Sequence, residues 1–293
     1  MDIQPKTFYK SKIIKKLTSE TLEGFKEQLV DVKERREKLL ADLKRNEKEL
    51  KKVKNKRKWL GWFPLSKLWK KKVVEWDHSI QELEQRVNKN LQDIEECKVK
   101  VDLLIEENVE FGFSALFDSF DSIQKAEKIW DITTSQRADR VALRTTAENL
   151  VERREVKFGK KKLELIHCDY DALHLQNANG ADLFIYPLFI LMRDMTDIAL
   201  IDLKDVHLDF SLTRFIEEET VPKDSEVLGY TWAKANKDGS RDKRFSSNYQ
   251  IPVLKYGEIH FRTKEGLNEV YLVSNADAMI DFATLFNDYQ KLL

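Results

Sequence analysis

From Leu22 the apolar positions advance in steps of three and four: Leu22, Phe25, Leu29, Val32, Arg36, Leu39, Leu43, Asn46, Leu50 and Val53. A second run repeats the pattern from Val73 through Trp76, Ile80, Leu83, Val87, Asn90, Ile94, Cys97 and Val101 to Leu104. An average repeat of about 3.5 residues keeps one seam on one side of each helix, which is the coiled-coil signal. Thr18 or Ser19 stands where a first helix would be capped, and Glu20 and Glu23 suit its positive end. Gly61 and Pro64 interrupt the pattern, and a short connection favours antiparallel neighbours. Folding the chain about Phe63 sets Leu43 opposite Leu83 and Arg36 opposite Asn90, the latter as a polar layer. A two-helix hairpin ~60 Å long has little core of its own, so a further partner, a second copy included, fits this pattern.

Beyond the hairpin, Phe111, Phe113, Leu116, Phe117 and Phe120, then Ile123, Ile129 and Trp130, recur as one buried helix face. Residues 135–150 are polar and helix-compatible. From about Val156 the period becomes that of strands: Lys162–Ile166, Ala172–Leu175, Asp182–Tyr186, Phe189–Met192, Ile198–Ile201, Val206–Phe210, Thr213–Glu217, Ile251–Tyr256, Glu258–Arg262 and Asn268–Val273. Asn275 or Asp277 then caps a last helix with Met279, Phe282, Ala283, Phe286 and Leu293 on one stripe. The expected class is α+β, with an N-terminal arm over 1–20 and a coiled-coil hairpin over 21–108 whose tip spans 59–66. Connecting helices follow over 109–154, and a helix-closed β-barrel over 155–293 with a long insertion at 220–250.

This order of strands, including Ala199–Val206, and the closing helix Asn275–Leu293 resemble bacterial pleckstrin-homology-like (GRAM-like) domains over about 155–293. The resemblance implies a seven-strand bent barrel used for binding, and many bacterial members of that type bind protein rather than lipid. The stretch from Thr220 to Gln250 departs from it, being longer than a normal strand connection.

Charge changes the picture more than composition does. The 293 residues balance Lys+Arg 51 against Asp+Glu 51, and 35% are charged with only 9 Gly and 5 Pro, which favours long solvated helices and excludes a collagen-like or low-complexity chain. Two cysteines make no disulfide framework, and no apolar run approaches a membrane span. A cytoplasmic protein is expected, peripheral to the inner membrane face if the tip binds lipid. The zero net charge hides segregation: residues 44–72 hold thirteen Lys/Arg and two Glu, whereas 102–135 hold eight Asp/Glu and two Lys.

The basic stretch encloses the candidate tip site: Lys56, Arg57, Lys58, Trp59, Trp62, Phe63, Leu65, Lys67, Trp69, Lys70 and Lys71. Four readings are open there. The aromatics fold onto the helix ends; they bind protein or a second copy; they anchor to an anionic membrane; or they stack on nucleic acid. A second candidate lies in the insertion, where Trp232, Lys234, Lys237, Arg241, Lys243 and Arg244 would hold an acidic partner or a phosphate, or else pack on the barrel.

No P-loop, GxGxxG or GxSxG occurs, and His167 and Cys168, being adjacent, would face opposite ways in a strand. No catalytic residue, metal ligand, cofactor or small-molecule substrate is expected. The sequence therefore reads as a non-enzymatic adaptor or scaffold for a protein partner. The alternative is a peripheral membrane or nucleic-acid binder acting through the tip. A bacterial defence or stress setting would suit either, though no residue supports it.

Overall fold

In the computed structural model, which describes residues 6–61, 70–178 and 180–293, the chain divides into two compact units. One comprises residues 27–101 and 163–168; the other comprises 1–26, 102–162 and 169–293.

The elements run in order β1 (Lys6–Phe8), α1 (Glu23–Gly61), α2 (Lys70–Glu96), β2 (Val99–Lys100), α3 (Glu107–Gln124), β3 (Ile129–Arg137), α4 (Arg140–Leu143) and β4 (Asn149–Glu155). Then follow β5 (Phe158–Lys161), β6 (Ile166–His167), β7 (Ala172–Leu175), β8 (Asp182–Ile185), β9 (Phe189–Arg193) and β10 (Ile198–Asp202). β11 (His207–Ile216), β12 (Glu226–Trp232), β13 (Gln250–Arg262), β14 (Asn268–Val273) and α5 (Ala276–Gln290) complete the chain.

The first unit is the helical hairpin. Its seam positions from Leu29 to Val53 and from Val73 to Cys97 are all buried or half-buried, while the positions between them are mostly exposed. The expected faces are therefore the observed ones. The pairing differs, the α2 partners lying three to ten residues beyond those expected. Arg36 donates to the carbonyl of Ile94 instead of standing opposite Asn90, and Cys97 Sγ reaches the carbonyl of Val32 at 3.7 Å. Asn90, oriented to satisfy its neighbours, accepts from Asn46 Nδ2 at 3.2 Å, so the two seam asparagines make the polar layer. Lys54–Glu84 (2.7 Å) and Arg57–Asp77 (2.8 Å) bridge the two helices nearer the end of α1. α2 stops at Glu96, and the chain enters β2, which pairs in parallel with β6. Leu104, expected in the seam, is consequently 97% exposed.

The second unit is built on two antiparallel sheets. In one, the strands run β10-β9-β8-β7-β5, in chain order except that β6 is left out to pair with β2. The other runs β1-β3-β14-β13-β11, with β4 added to β3 and β12 to β13. Between the sheets Leu173, Ile185, Met192, Ile201, Ile259 and Tyr271 share a core with Phe113 and Phe120 of α3 and Phe282 and Phe286 of α5. The α5 stripe is as expected, and Asn275 caps it by accepting from the amide of Ala278 at 3.0 Å. Met279, Phe282 and Phe286 are fully buried, each contributing roughly 1.5–3 kcal/mol by apolar burial.

Several expectations are corrected. The sheets do not close into a barrel. At β10 the edge is taken by the N-terminal arm: Ser19 N donates to the carbonyl of Leu200, while Ser19 Oγ accepts from Asp202 N and Thr18 Oγ1 from Leu200 N. Thr18 and Ser19 thus saturate a strand edge rather than cap α1, and a 3-10 turn at Leu203–Asp205 separates β10 from β11. Second, 109–154 is not all helix: beyond α3 and the single turn α4 it supplies β3 and β4. The insertion is a strand-loop-strand excursion, one of the readings open for it: it begins with β12, paired with β13 through a bulge between Val227 and Gly229. Residues 206–217 and 251–262, expected as two strands each, form the single long strands β11 and β13, whereas Lys162–Leu165 is not a strand.

Candidate functional site: the hairpin end and the loop after β12

At the far end of α1 the basic residues divide by role. Arg57 is committed to Asp77 and Lys54 to Glu84, across the hairpin. Lys56, Lys58 and Lys71 are exposed, and Trp59 is 65% exposed. Lys56 and Trp59 are three residues apart, so they share a helix face. Lys56 also borders a shallow groove floored by Val53 and Leu83, whose rim mixes Lys52 and Arg86 with Glu49 and Glu82. Of the remaining tip candidates, Trp62, Phe63, Leu65, Lys67 and Trp69 lie outside the described residues, as does the side chain of Lys70.

The loop after β12 is organised around one buried carboxylate. Asp242 is 2% exposed and is gripped by Arg244, whose Nε and Nη2 donate at 2.9 and 2.8 Å, and by Arg144 Nη1. The Arg244 guanidinium, foremost, holds this carboxyl well below the usual carboxylate range. Arg144 takes a left-handed backbone (φ 54°) at the end of α4 and stacks on Phe245 at 5.1 Å. Arg241 lies 5.3 Å from the Trp232 ring and donates to the carbonyl of Ser246, while Asn248 accepts from the Lys234 amide. Two of the five cationic candidates, Arg241 and Arg244, are therefore spent on the loop's own structure. Lys234, Lys237 and Lys243 stay exposed.

Sequence reasoning missed two further features. Between the sheets, Asp131 of β3 and Glu269 of β14 are 0% and 1% exposed. Asp131 Oδ2 accepts from the Ala178 amide at 2.8 Å, and Glu269 Oε1 accepts from the backbone and hydroxyl of Ser11. Their second oxygens, Oδ1 and Oε2, have no hydrogen-bond partner among the described residues. Burial raises both; it carries Glu269 to about 7, with the Ser11 hydroxyl opposing and Asp131 adding to the rise. The signal was the alternation itself, since Glu269 lies two residues from core-facing Tyr271 and Asp131 two from Ile129. Nearby, buried His174 meets half-buried Asp182 through Nε2 at 2.8 Å; burial opposes ionisation of Asp182, but His174 and the Asn177 amide outweigh it and lower the carboxyl. The second feature is Asp102–Phe111, where Leu104 (97%) and Phe111 (77%) are exposed among exposed Asp102, Glu106, Glu107 and Glu110. Phe111 was expected on the buried face of α3, which Phe113, Leu116, Phe120 and Ile123 form without it.

Among the described residues no group of three His, Cys, Asp or Glu is placed to hold a metal, and no helix is long and apolar enough to cross a membrane. Comparison of the chain with protein-family models, with curated proteins and with solved structures finds no match.

Proposed function

We propose that the protein is a non-enzymatic adaptor that binds a protein partner through the end of its helical hairpin, with the two-sheet unit as a second binding module of PH-like character. The observation that carries this reading is Trp59, 65% exposed at the end of a thin hairpin with exposed Lys56, Lys58 and Lys71 in the same region. An indole held in water beside ammonium groups loses little on leaving solvent and gains much against an apolar, acidic surface, as interface anchors do. The two-sheet unit contributes a structured loop with Lys234, Lys237 and Lys243 exposed around Trp232, and its partner is likewise acidic. The setting is cytoplasmic.

A photo-crosslinking amino acid in place of Trp59 tests the hairpin end directly. Protein adducts that vanish when Lys56 and Lys58 are reversed to Glu support the adaptor reading. Co-flotation with phosphatidylserine vesicles in the absence of protein adducts replaces it with membrane binding. Neither adducts nor flotation makes the hairpin end a solvated turn with no docking role.

A further inference from the structure

We propose that copies of this chain associate head to tail, the Trp59 end of one hairpin docking on the acidic, apolar-studded segment Asp102–Phe111 of a second copy. The inference rests on the hairpin end being a protein-docking element and names its partner.

A leucine 97% exposed and a phenylalanine 77% exposed within eight positions are not accounted for by the fold. Acidic residues at the start of α3 suit the helix dipole, but the dipole asks nothing of Leu104 or Phe111. Residues 101–111 contain four carboxylates and no Lys or Arg. Residues 44–61 contain nine Lys/Arg against two Glu, and end with the exposed Trp59. Each patch thus joins exposed apolar surface to charge of one sign, and the signs are opposite. Apposed, Trp59 would cover Leu104 and Phe111 while Lys56 and Lys58 meet Glu106 and Glu107, so that apolar burial supplies affinity and charge supplies register. Both patches are on the same polypeptide, so a second copy of the chain carries the complement of each.

Sedimentation of the full chain, at rising protein concentration and at low and high salt, reads the association. Three variants accompany it: Lys56→Glu with Lys58→Glu, Glu106→Lys with Glu107→Lys, and Leu104→Ser with Phe111→Ser. All six positions are exposed, and circular dichroism checks that each variant is folded. The wild type should grow with concentration and weaken with salt. Each variant should need at least tenfold more protein to associate, and a mixture of the two charge-reversed variants should regain association that neither shows alone. A wild type that stays monomeric overturns the proposal, as does a Glu106/Glu107 variant that associates normally. Loss in the lysine variant alone keeps the hairpin end as a docking element and removes Asp102–Phe111 as its partner. Loss in the acidic variant alone removes the hairpin end from the contact and overturns the proposal, leaving the adaptor reading to the crosslinking at Trp59.

Discussion

Replacing Glu269 by Gln should remove a pH dependence built into the interior of the two-sheet unit. The carboxyl ordinarily titrates at 4.5; burial, opposed by Ser11 and aided by Asp131, moves it to about 7 in the folded chain. A raised folded value means that the folded state binds the proton more tightly than the unfolded state does. Below pH 4.5 both states are protonated and the neutral carboxyl sits comfortably beneath the sheet. Between about 4.5 and 7 the unfolded chain releases its proton while the folded chain keeps it, so stability falls as pH rises. Above 7 both have released it and the loss is complete. At about 1.4 kcal/mol per tenfold change in proton affinity, the loss amounts to ~3 kcal/mol. Asp131, raised by its own burial, pulls the same way and is unaffected in kind by the substitution. Glutamine keeps an acceptor for Ser11 and carries no charge. Urea unfolding followed by near-ultraviolet circular dichroism at pH 5, 6, 7 and 8 should show the difference between wild type and Glu269→Gln drifting by up to ~3 kcal/mol in favour of the variant, then levelling off. Parallel stability curves for the two proteins across that range would refute the reasoning.

Other outcomes follow from single contacts. A Cβ at Gly257 would stand 2.6 Å from Met279 Cβ and 3.4 Å from Ala276 Cα on α5, so Gly257→Ala should cost about 1–3 kcal/mol by forcing helix and sheet apart, measured as a lower urea midpoint. Asn275→Ala removes the acceptor for the Ala278 amide and should cost about 1 kcal/mol in the same assay. Asp242→Ala leaves Arg144 and Arg244 facing each other without their shared carboxylate; limited proteolysis should then cut within 233–249 faster than in the wild type, and an equal rate would mean that the loop is held by other contacts.

The hairpin was legible because a seam needs only periodicity, and every expected seam position from Leu29 to Cys97 is at least half-buried. Register was not legible from the same signal. Two seams that repeat every three to four residues stay apolar against apolar after a slip of one turn, and only a polar layer tells the registers apart. Asn46 with Asn90 was that layer, and pairing Arg36 with Asn90 chose a partner ten residues away on α1. The last helix, its cap and most strands of the five-stranded sheet could be read because each alternates or repeats cleanly between turn residues. β3 and β4 could not, since Asp131 breaks the apolar face of one strand and Asn149–Glu155 presents Arg153 where an apolar residue is expected. That guanidinium in fact lies 4.1 Å from the Trp130 ring and 4.5 Å from Phe215, serving as cover for an apolar cluster. For the binding residues, charge and aromatics located both candidate regions, but which arginines were already occupied depended on Asp242 and Asp77, partners brought in by folding.

The N-terminal arm has a consequence for the order in which the chain can be completed during synthesis. Ser11 is held by Glu269 and Asn268, synthesised 258 and 257 residues after it, and Ser19 by Asp205, 186 residues on. The hairpin, whose contacts are local, can form as soon as α2 has emerged. The arm must wait for those partners to be made, so the two-sheet unit finishes in one late step that needs the arm and β14 together.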